Sequence, residues 1–270
     1  MSRKASLACA LVGVAAIFAC DRGAEPRVDP AGSSPADADA SAAPTGGGED
    51  SAGGEAAWQR FDFESDTVGS GPSGFTAVHS GGGEPGDWRV VDAPGAPSGR
   101  QAVAQLDPDR TGSRFPLLVL DSVVCRDVEL EVQGKPITGS KDQAIGLIWR
   151  FQDADNYYIL RANALEDNVV LYKMEAGKRS DLDLLGRGRT YGLDVEVPRE
   201  AWSRLGVTVR GNRFTAFLDG RELFQVEDGT FAGPGKVGLW TKADSVTWFD
   251  DLAVRILDPS ESEPEPANGN

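Results

Sequence analysis

The chain has 270 residues and a formal net charge of −15, with 42 acidic against 27 basic side chains. Acidity on this scale makes nucleic acid and anionic lipid headgroups poor partners and leaves solubility, bound cations or neutral ligands such as sugars as its meaning. Of the three cysteines, Cys9 and Cys20 lie near the N-terminus, so Cys125 alone can form neither an intramolecular disulfide nor a cysteine-rich zinc site.

The chain opens with Arg3 and Lys4, an apolar Leu7–Ala19 and the ending Ile17-Phe18-Ala19-Cys20. Residues 1–19 therefore read as an export signal, too short to span a bilayer in the ordinary way. The last four residues resemble the lipobox of bacterial lipoproteins, which implies lipidation at Cys20 and a membrane-anchored protein of the periplasm or cell surface. Phe18 is bulkier than the usual lipobox residue, and an ordinary cleaved secretory signal is the other reading. Residues 20–57 are rich in Ala, Gly, Ser, Pro and acid, and residues 258–270 share that character. Both stretches have too little to bury to offset the entropy of ordering, so a flexible tether and tail are expected. Residues 58–257 remain as one folded domain, expected to be monomeric and to touch the membrane only through its anchor.

Within that domain, short β-rich runs follow one another with almost no helical period. Trp58–Phe63 opens it, Gly69–Gly86 reads as loop carrying the only histidine, His79, and Trp88–Val91, Gln101–Leu106, Leu117–Leu120 and Val128–Val132 read as strands. The run Ala144–Met174 then splits at QDADN and LEDN into Ala144–Phe151, Tyr157–Ala164 and Val169–Met174, an antiparallel meander at the centre of a sheet. Its middle strand sets Tyr158, Leu160 and Ala162 on one face and Tyr157, Ile159, Arg161 and Asn163 on the other. Tyr191–Val197, Ser203–Arg210, Phe214–Leu218, Arg221–Val226, Gly235–Lys242 and Thr247–Ile256 complete the set, with tight turns at Gly211-Asn212 and Asp219-Gly220. Such a series predicts an all-β fold of two antiparallel sheets packed face to face. Cys125 lies among apolar residues and reads as a core thiol. His79 has no G-x-S-x-G nucleophile elbow beside it to suggest a catalytic triad.

The segments GLIWRFQDADNYYILRANALEDNVVLYKMEAGKR, WSRLGVTVRGNRFTAFLDGRELFQVED and GPGKVGLWTKADSVTWFDDLAV resemble the concanavalin A-like, laminin-G-like jelly roll. The resemblance is strongest to the exported bacterial branch described as 3-keto-disaccharide hydrolase or family-16-glycoside-hydrolase-like. It implies a curved sandwich whose concave sheet often binds glycans, and extends over nearly all of residues 58–257. The fold hosts lectins, hydrolases and adhesion modules alike, so function must come from the site.

Three constellations are candidates. Asp127, Glu129 and Glu131 alternate with Val128, Leu130 and Val132 and project from one strand face. Family-16 hydrolases carry Glu, Asp, Glu on such a strand, and a retaining glycosidase needs paired carboxylates. Here the first two residue types are exchanged, and a solvated strand face accounts for the triplet equally. Trp149, Arg150, Tyr157, Arg161 and Asn163, joined by Trp240 and Lys242, combine rings that stack on sugars with groups that bond hydroxyls, or else serve as core and ion pairs. The sugar reading requires Tyr157 and Arg161 on an open face; sealed in the hydrophobic interior they would end it. Asp62, Glu64 and Asp66 in FDFESD, with Asp250 and Asp251 in FDDL, supply hard oxygen ligands for a structural Ca²⁺ if the first and last strands meet, or are solvated acids. A carbohydrate-binding envelope domain is the first reading, a glycoside-processing enzyme the second and a structural or adhesion module the third.

Overall fold

The computed structural model describes residues 57–188 and 190–258. Cys20, the export signal, nearly all of the tether and the tail beyond residue 258 lie outside the described residues. In chain order the strands are β1 Gln59–Phe61, β2 Phe75–Gly81, β3 Trp88–Asp92, β4 Gln101–Gln105, β5 Arg114–Cys125, β6 Val128–Thr138, β7 Ala144–Asp153 and β8 Asn156–Asn163. They continue as β9 Asn168–Glu175, β10 Lys178–Asp181, β11 Leu193–Asp194, β12 Ser203–Arg210, β13 Arg213–Leu218, β14 Arg221–Glu227, β15 Gly235–Trp240 and β16 Val246–Ile256. Among the described residues there is no helix.

Two antiparallel sheets result. The first runs β14-β13-β12-β6-β16-β4-β3 with β1 added to β16; the second runs β10-β9-β8-β7-β15-β5-β2 with β11 added to β9. Chain-adjacent strands pair where a tight turn permits. Asp219 and Gly220, at φ of 51° and 77°, form the primed turn that matches the twist of the β13–β14 hairpin. The meander β7-β8-β9 lies inside the second sheet, as its turns predict.

The layer between the sheets is filled by alternate residues. Val128, Leu130 and Val132 from β6, Leu205, Val207 and Val209 from β12, and Tyr158, Leu160 and Ala162 from β8 share one apolar cluster. At its centre Trp149 stacks on Tyr158 at 5.6 Å and meets the edge of Phe214 at 5.3 Å, which ties the two sheets together. Cys125 is buried there, and loss of hydration pushes its thiol up to about 11, as befits an inert core group.

Several boundaries differ from the sequence reading. Phe75–Gly81 is strand β2 rather than loop, because the backbone of His79 and its neighbours completes the ladder along β5. Only Leu193–Asp194 pairs within the expected Tyr191–Val197. Strand β10 follows the turn at Ala176-Gly177 and lies on β9.

Candidate functional site

The second sheet has a further apolar cluster on the face turned away from the sandwich core. It contains Phe115, Leu117, Ile148, Tyr157, Ile159, Tyr172 and Trp240, among others. Strand register explains its rows: Val170, Arg161, Gly146, Trp240, Leu117 and Val78 lie side by side across β9, β8, β7, β15, β5 and β2. Gly146 is required in that row, since a Cβ there would fall 2.8 Å from the indole of Trp240. Trp240 in turn stacks on Phe115 at 5.6 Å.

This face is buried because the sheet curls over it. Strands β10 and β5 are separated by four others, roughly 24 Å along a flat sheet. Yet the guanidinium of Arg179 on β10 sits 5.0 Å from the Phe115 ring on β5 and 4.5 Å from Tyr172 on β9. The Tyr157 hydroxyl likewise comes beside Ser80 of β2 and Trp240. The face is therefore the concave hollow of the curl, filled by these packed side chains and spanned at Phe115 and Tyr172 by Arg179.

One end of the hollow is ionic. Arg161 donates to Glu166 at 2.9 Å and to Asn168 at 2.6 Å, with Asp142 at 3.9 Å. Lys242 pairs with Asp142 at 2.7 Å, and Asn163 donates to the same carboxylate at 2.8 Å. Burial raises the Asp142 carboxyl above its usual range, against the pull of Lys242 and Arg161. Burial acts on Glu166 in the same direction, but Arg161 and Asn168 outweigh it and hold the carboxyl low. The loop carrying Asp142 is set by Asp244, whose carboxylate accepts from the backbone N–H of Ser140, Lys141 and Asp142 and from the Ser140 hydroxyl. These bonds overcome burial and bring Asp244 down to about 2.

Within the hollow, polar atoms lack partners. Ser80 Oγ, the Tyr157 hydroxyl, Arg161 Nε and Nη1, Arg179 Nη1 and Trp240 Nε1 are buried without a hydrogen bond of normal length and angle, although the Tyr157 hydroxyl lies near enough to Ser80 and Trp240 to feel both. Buried polar groups are nearly always satisfied, and each exception calls for a water, an ion or a ligand. Tyr157 is pushed up to about 12, chiefly by burial, so its hydroxyl keeps its proton and can donate.

The sequence-predicted residues divide accordingly. Tyr157, Arg161, Asn163, Trp240 and Lys242 do share one face. The expectation that Tyr157 and Arg161 lie open is overturned: both are fully buried, Arg161 against the Tyr172 and Tyr191 rings and Tyr157 among Phe151, Ser80 and Trp240. Tyr157 sits in the second apolar cluster and Arg161 beside it, outside the inter-sheet core, so the reading of an open sugar platform on this face does not stand, and a ligand here would have to displace packed side chains. Trp149 and Arg150 do not belong to this face. Trp149 is core, and Arg150, at φ 48°, turns its guanidinium to the carbonyls of Arg126 and Phe231 (3.1 and 2.8 Å), the Gly211 carbonyl, and Asp127. It bridges the sheet ends.

Asp127, Glu129 and Glu131 occupy the outward face of the first sheet, away from the hollow. Each meets a guanidinium: Arg150 at 3.3 Å, Arg255 Nε at 2.8 Å and Arg204 at 3.8 Å, respectively. The carboxylates are thus engaged in ion pairs. A depression of roughly 620 Å³ on this side is lined by Asp127, Arg213, Phe217 and Gln225, with one aromatic ring among them.

The first and last strands do meet, β1 on β16. Glu64, Asp250 and Asp251 gather on the loop at residues 98–101, while Asp66 accepts from Ser73 N and Asp62 from Glu64 N. Glu64 accepts from Arg100 N and Gln101 N, Asp250 from Ser98 N and Asp251 N, and Asp251 from Ser98 Oγ. Their oxygens pin a loop, and among the described residues no three acidic, His or Cys side chains form a metal-binding group. These are hard oxygen donors of the type calcium takes, but in this arrangement they are occupied by the loop's own N–H and hydroxyl groups and do not fit the ion. Desolvation raises Asp250 to about 6, with Asp251 and Glu64 adding to it.

Among the acids that the sequence offers as ion-pair partners of Arg150 or Arg161, namely Asp153, Asp155 and Glu166, the last does pair with Arg161. Arg179, Ser80, Tyr172 and Asp142 were not singled out in sequence: Tyr172 follows from period-two alternation within VVLYKM, Asp142 reaches Arg161 and Asn163 from just ahead of the neighbouring strand, and Arg179 and Ser80 come to this face only through the curl.

No family model and no curated protein matches the chain. Solved structures do. The carbohydrate-binding module CBM66 from Bacillus subtilis aligns with a TM-score of 0.51 at 23% identity, over 67% of this chain and 95% of that one. The cellulose induced protein Cip1 aligns at 0.54 and 15% identity, over 74% of this chain and 97% of that one. These likenesses establish the fold, a two-sheet β-sandwich of the kind seen in a carbohydrate-binding module.

Proposed function

We propose that the protein is an exported, Cys20-anchored domain that binds carbohydrate in the hollow of its curled sheet. The observation that carries the reading is the coexistence there of the stacked Trp240 and Phe115 rings, and of Tyr172 beneath Arg179, with buried polar atoms that make no hydrogen bond. Sugars match this pair of features: ring C–H faces stack on aromatics while hydroxyls satisfy fixed polar groups. The CBM66 fold match, a carbohydrate-binding module by description, supports it. In this reading a ligand enters as Arg179, which among the described residues rests on the Phe115 and Tyr172 rings without an ion pair, swings aside. The anchor follows from the lipobox-like ending at Cys20, and mass analysis of membrane-extracted protein for a diacylglycerol adduct tests it.

A glycan array on the purified chain, followed by calorimetry, tests the binding site. Tyr157→Phe removes one unpartnered hydroxyl without altering shape, and is expected to weaken the best glycan about tenfold while leaving melting nearly unchanged. Full affinity in both Tyr157→Phe and Trp240→Ala would remove the hollow from consideration.

A further inference from the structure

We propose that the glycan taken by the hollow is acidic, presenting a carboxylate or sulfate to Arg161 and Arg179; this rests on the hollow being the glycan site. The argument comes from the kind of polar atoms left over. Of the six unpartnered atoms, Arg161 Nε and Nη1, Arg179 Nη1 and Trp240 Nε1 can only donate. A neutral sugar offers hydroxyls, which must donate as well as accept, and of those six atoms only the Ser80 and Tyr157 hydroxyls can receive them. An oxyanion has acceptors alone and pairs with guanidinium in a planar, two-bond geometry.

The charges point the same way. Three cations line the hollow, Arg161, Lys242 and Arg179, against the carboxylates of Asp142 and Glu166. Lys242 takes Asp142 and Arg161 takes Glu166, with Arg161 Nη1 a further 3.9 Å from Asp142, beyond hydrogen-bond length. Asp181, two residues beyond Arg179, is engaged in a contact of its own. Among the described residues Arg179 makes no ion pair and rests on Phe115 and Tyr172. Arg161 reaches the same Tyr172 ring, at 5.5 Å. Two guanidiniums thus share one tyrosine inside a chain of net charge −15, where acids to pair with Arg179 are plentiful outside the hollow. An acidic sugar residue entering over Tyr172 would find both, and would draw Arg179 off its rings into an ion pair, opening and filling the hollow in one step.

The test compares matched ligands on the full chain by calorimetry: oligogalacturonate, the same oligomer fully methyl-esterified, and a sulfated galactan with its desulfated form. The acidic member of a pair is expected to bind at least about tenfold more tightly than its neutral partner. Which pair shows the preference distinguishes carboxylate from sulfate. Arg179→Gln should abolish the preference and leave the melting temperature close to wild type. If neutral members bind as well as acidic ones and Tyr157→Phe still weakens them, the hollow is a neutral-sugar site and only this inference falls. If no glycan binds at all, the inference and the function it rests on fall together. A preference unchanged in Arg179→Gln overturns the assignment to the two arginines.

Discussion

The outward faces of the two sheets are built from the same period-two alternation and end in opposite states. On the first sheet, charged residues meet across strands. Arg255 opposes Glu129 in the β16–β6 register and Arg213 opposes Glu227 between β13 and β14, the latter at 2.8 Å. On the second sheet the equivalent positions hold Tyr157, Ile159, Tyr172 and Trp240, and the sheet closes over them. Pairing charges across a sheet leaves its surface content with water. Lining a face with rings and guanidiniums drives the sheet to curl, burying apolar area while stranding donors that only a ligand or water can satisfy. Curvature is thus what separates a solvated face from a binding hollow.

Four measurements sharpen that contrast. The largest effect belongs to the layer both sheets share: Trp149→Ala should cost about 3–5 kcal/mol in urea unfolding, the toll of a cavity between two packed sheets. Next, Asp244→Ala strands the N–H groups that present Asp142 to the hollow, and should cost about 2–3 kcal/mol at neutral pH. Because Asp244 is lowered from 3.8 to about 2, its contribution is present above the ordinary carboxylate range and is lost as pH falls through about 2. Wild-type and variant stabilities should therefore converge in strong acid; a constant gap would separate the loop anchor from its charge.

Asp250, on the strand that bears β1, shifts the other way. Its carboxyl is raised to about 6, so the folded state favours the proton, and that advantage, full below 3.8, disappears as pH rises through about 6. Asp250→Asn should gain on wild type across this window and reach about 1–3 kcal/mol at pH 8 by thermal unfolding. A flat difference would mean that the carboxylate is stabilised by groups other than Ser98 and Asp251. Smallest is Glu131→Gln on the solvated face. Its pair with Arg204 is long and exposed, so stability should change by less than about 0.5 kcal/mol, with glycan affinity untouched. A loss of glycan binding in this variant would move the site to the first sheet.

Much was legible before any coordinates. Alternation in DVELEV, SRLGVTVR and NYYILRAN identified which residues face the core, and Asp219-Gly220 identified its hairpin, because both signals are local to a strand or a turn. Alternation also placed Tyr157, Arg161 and Asn163 on one face. It misassigned Arg150, since a single residue at positive φ turned that side chain away from the strand pattern. It missed β2, where HSGGG reads as loop and only pairing with β5 makes a strand.

What the amino-acid order determined by itself is the two-sheet sandwich and the composition of each face, because period-two burial is written into neighbouring residues. The tertiary structure alone decided that one of those faces is a closed hollow rather than an open surface, and that Arg179 belongs to it. Curl accumulates from the small twist between each pair of strands over the whole width of a sheet. No short stretch of sequence carries that sum, so Arg179 and Phe115, 64 positions apart in the chain, meet only once the full sheet has formed.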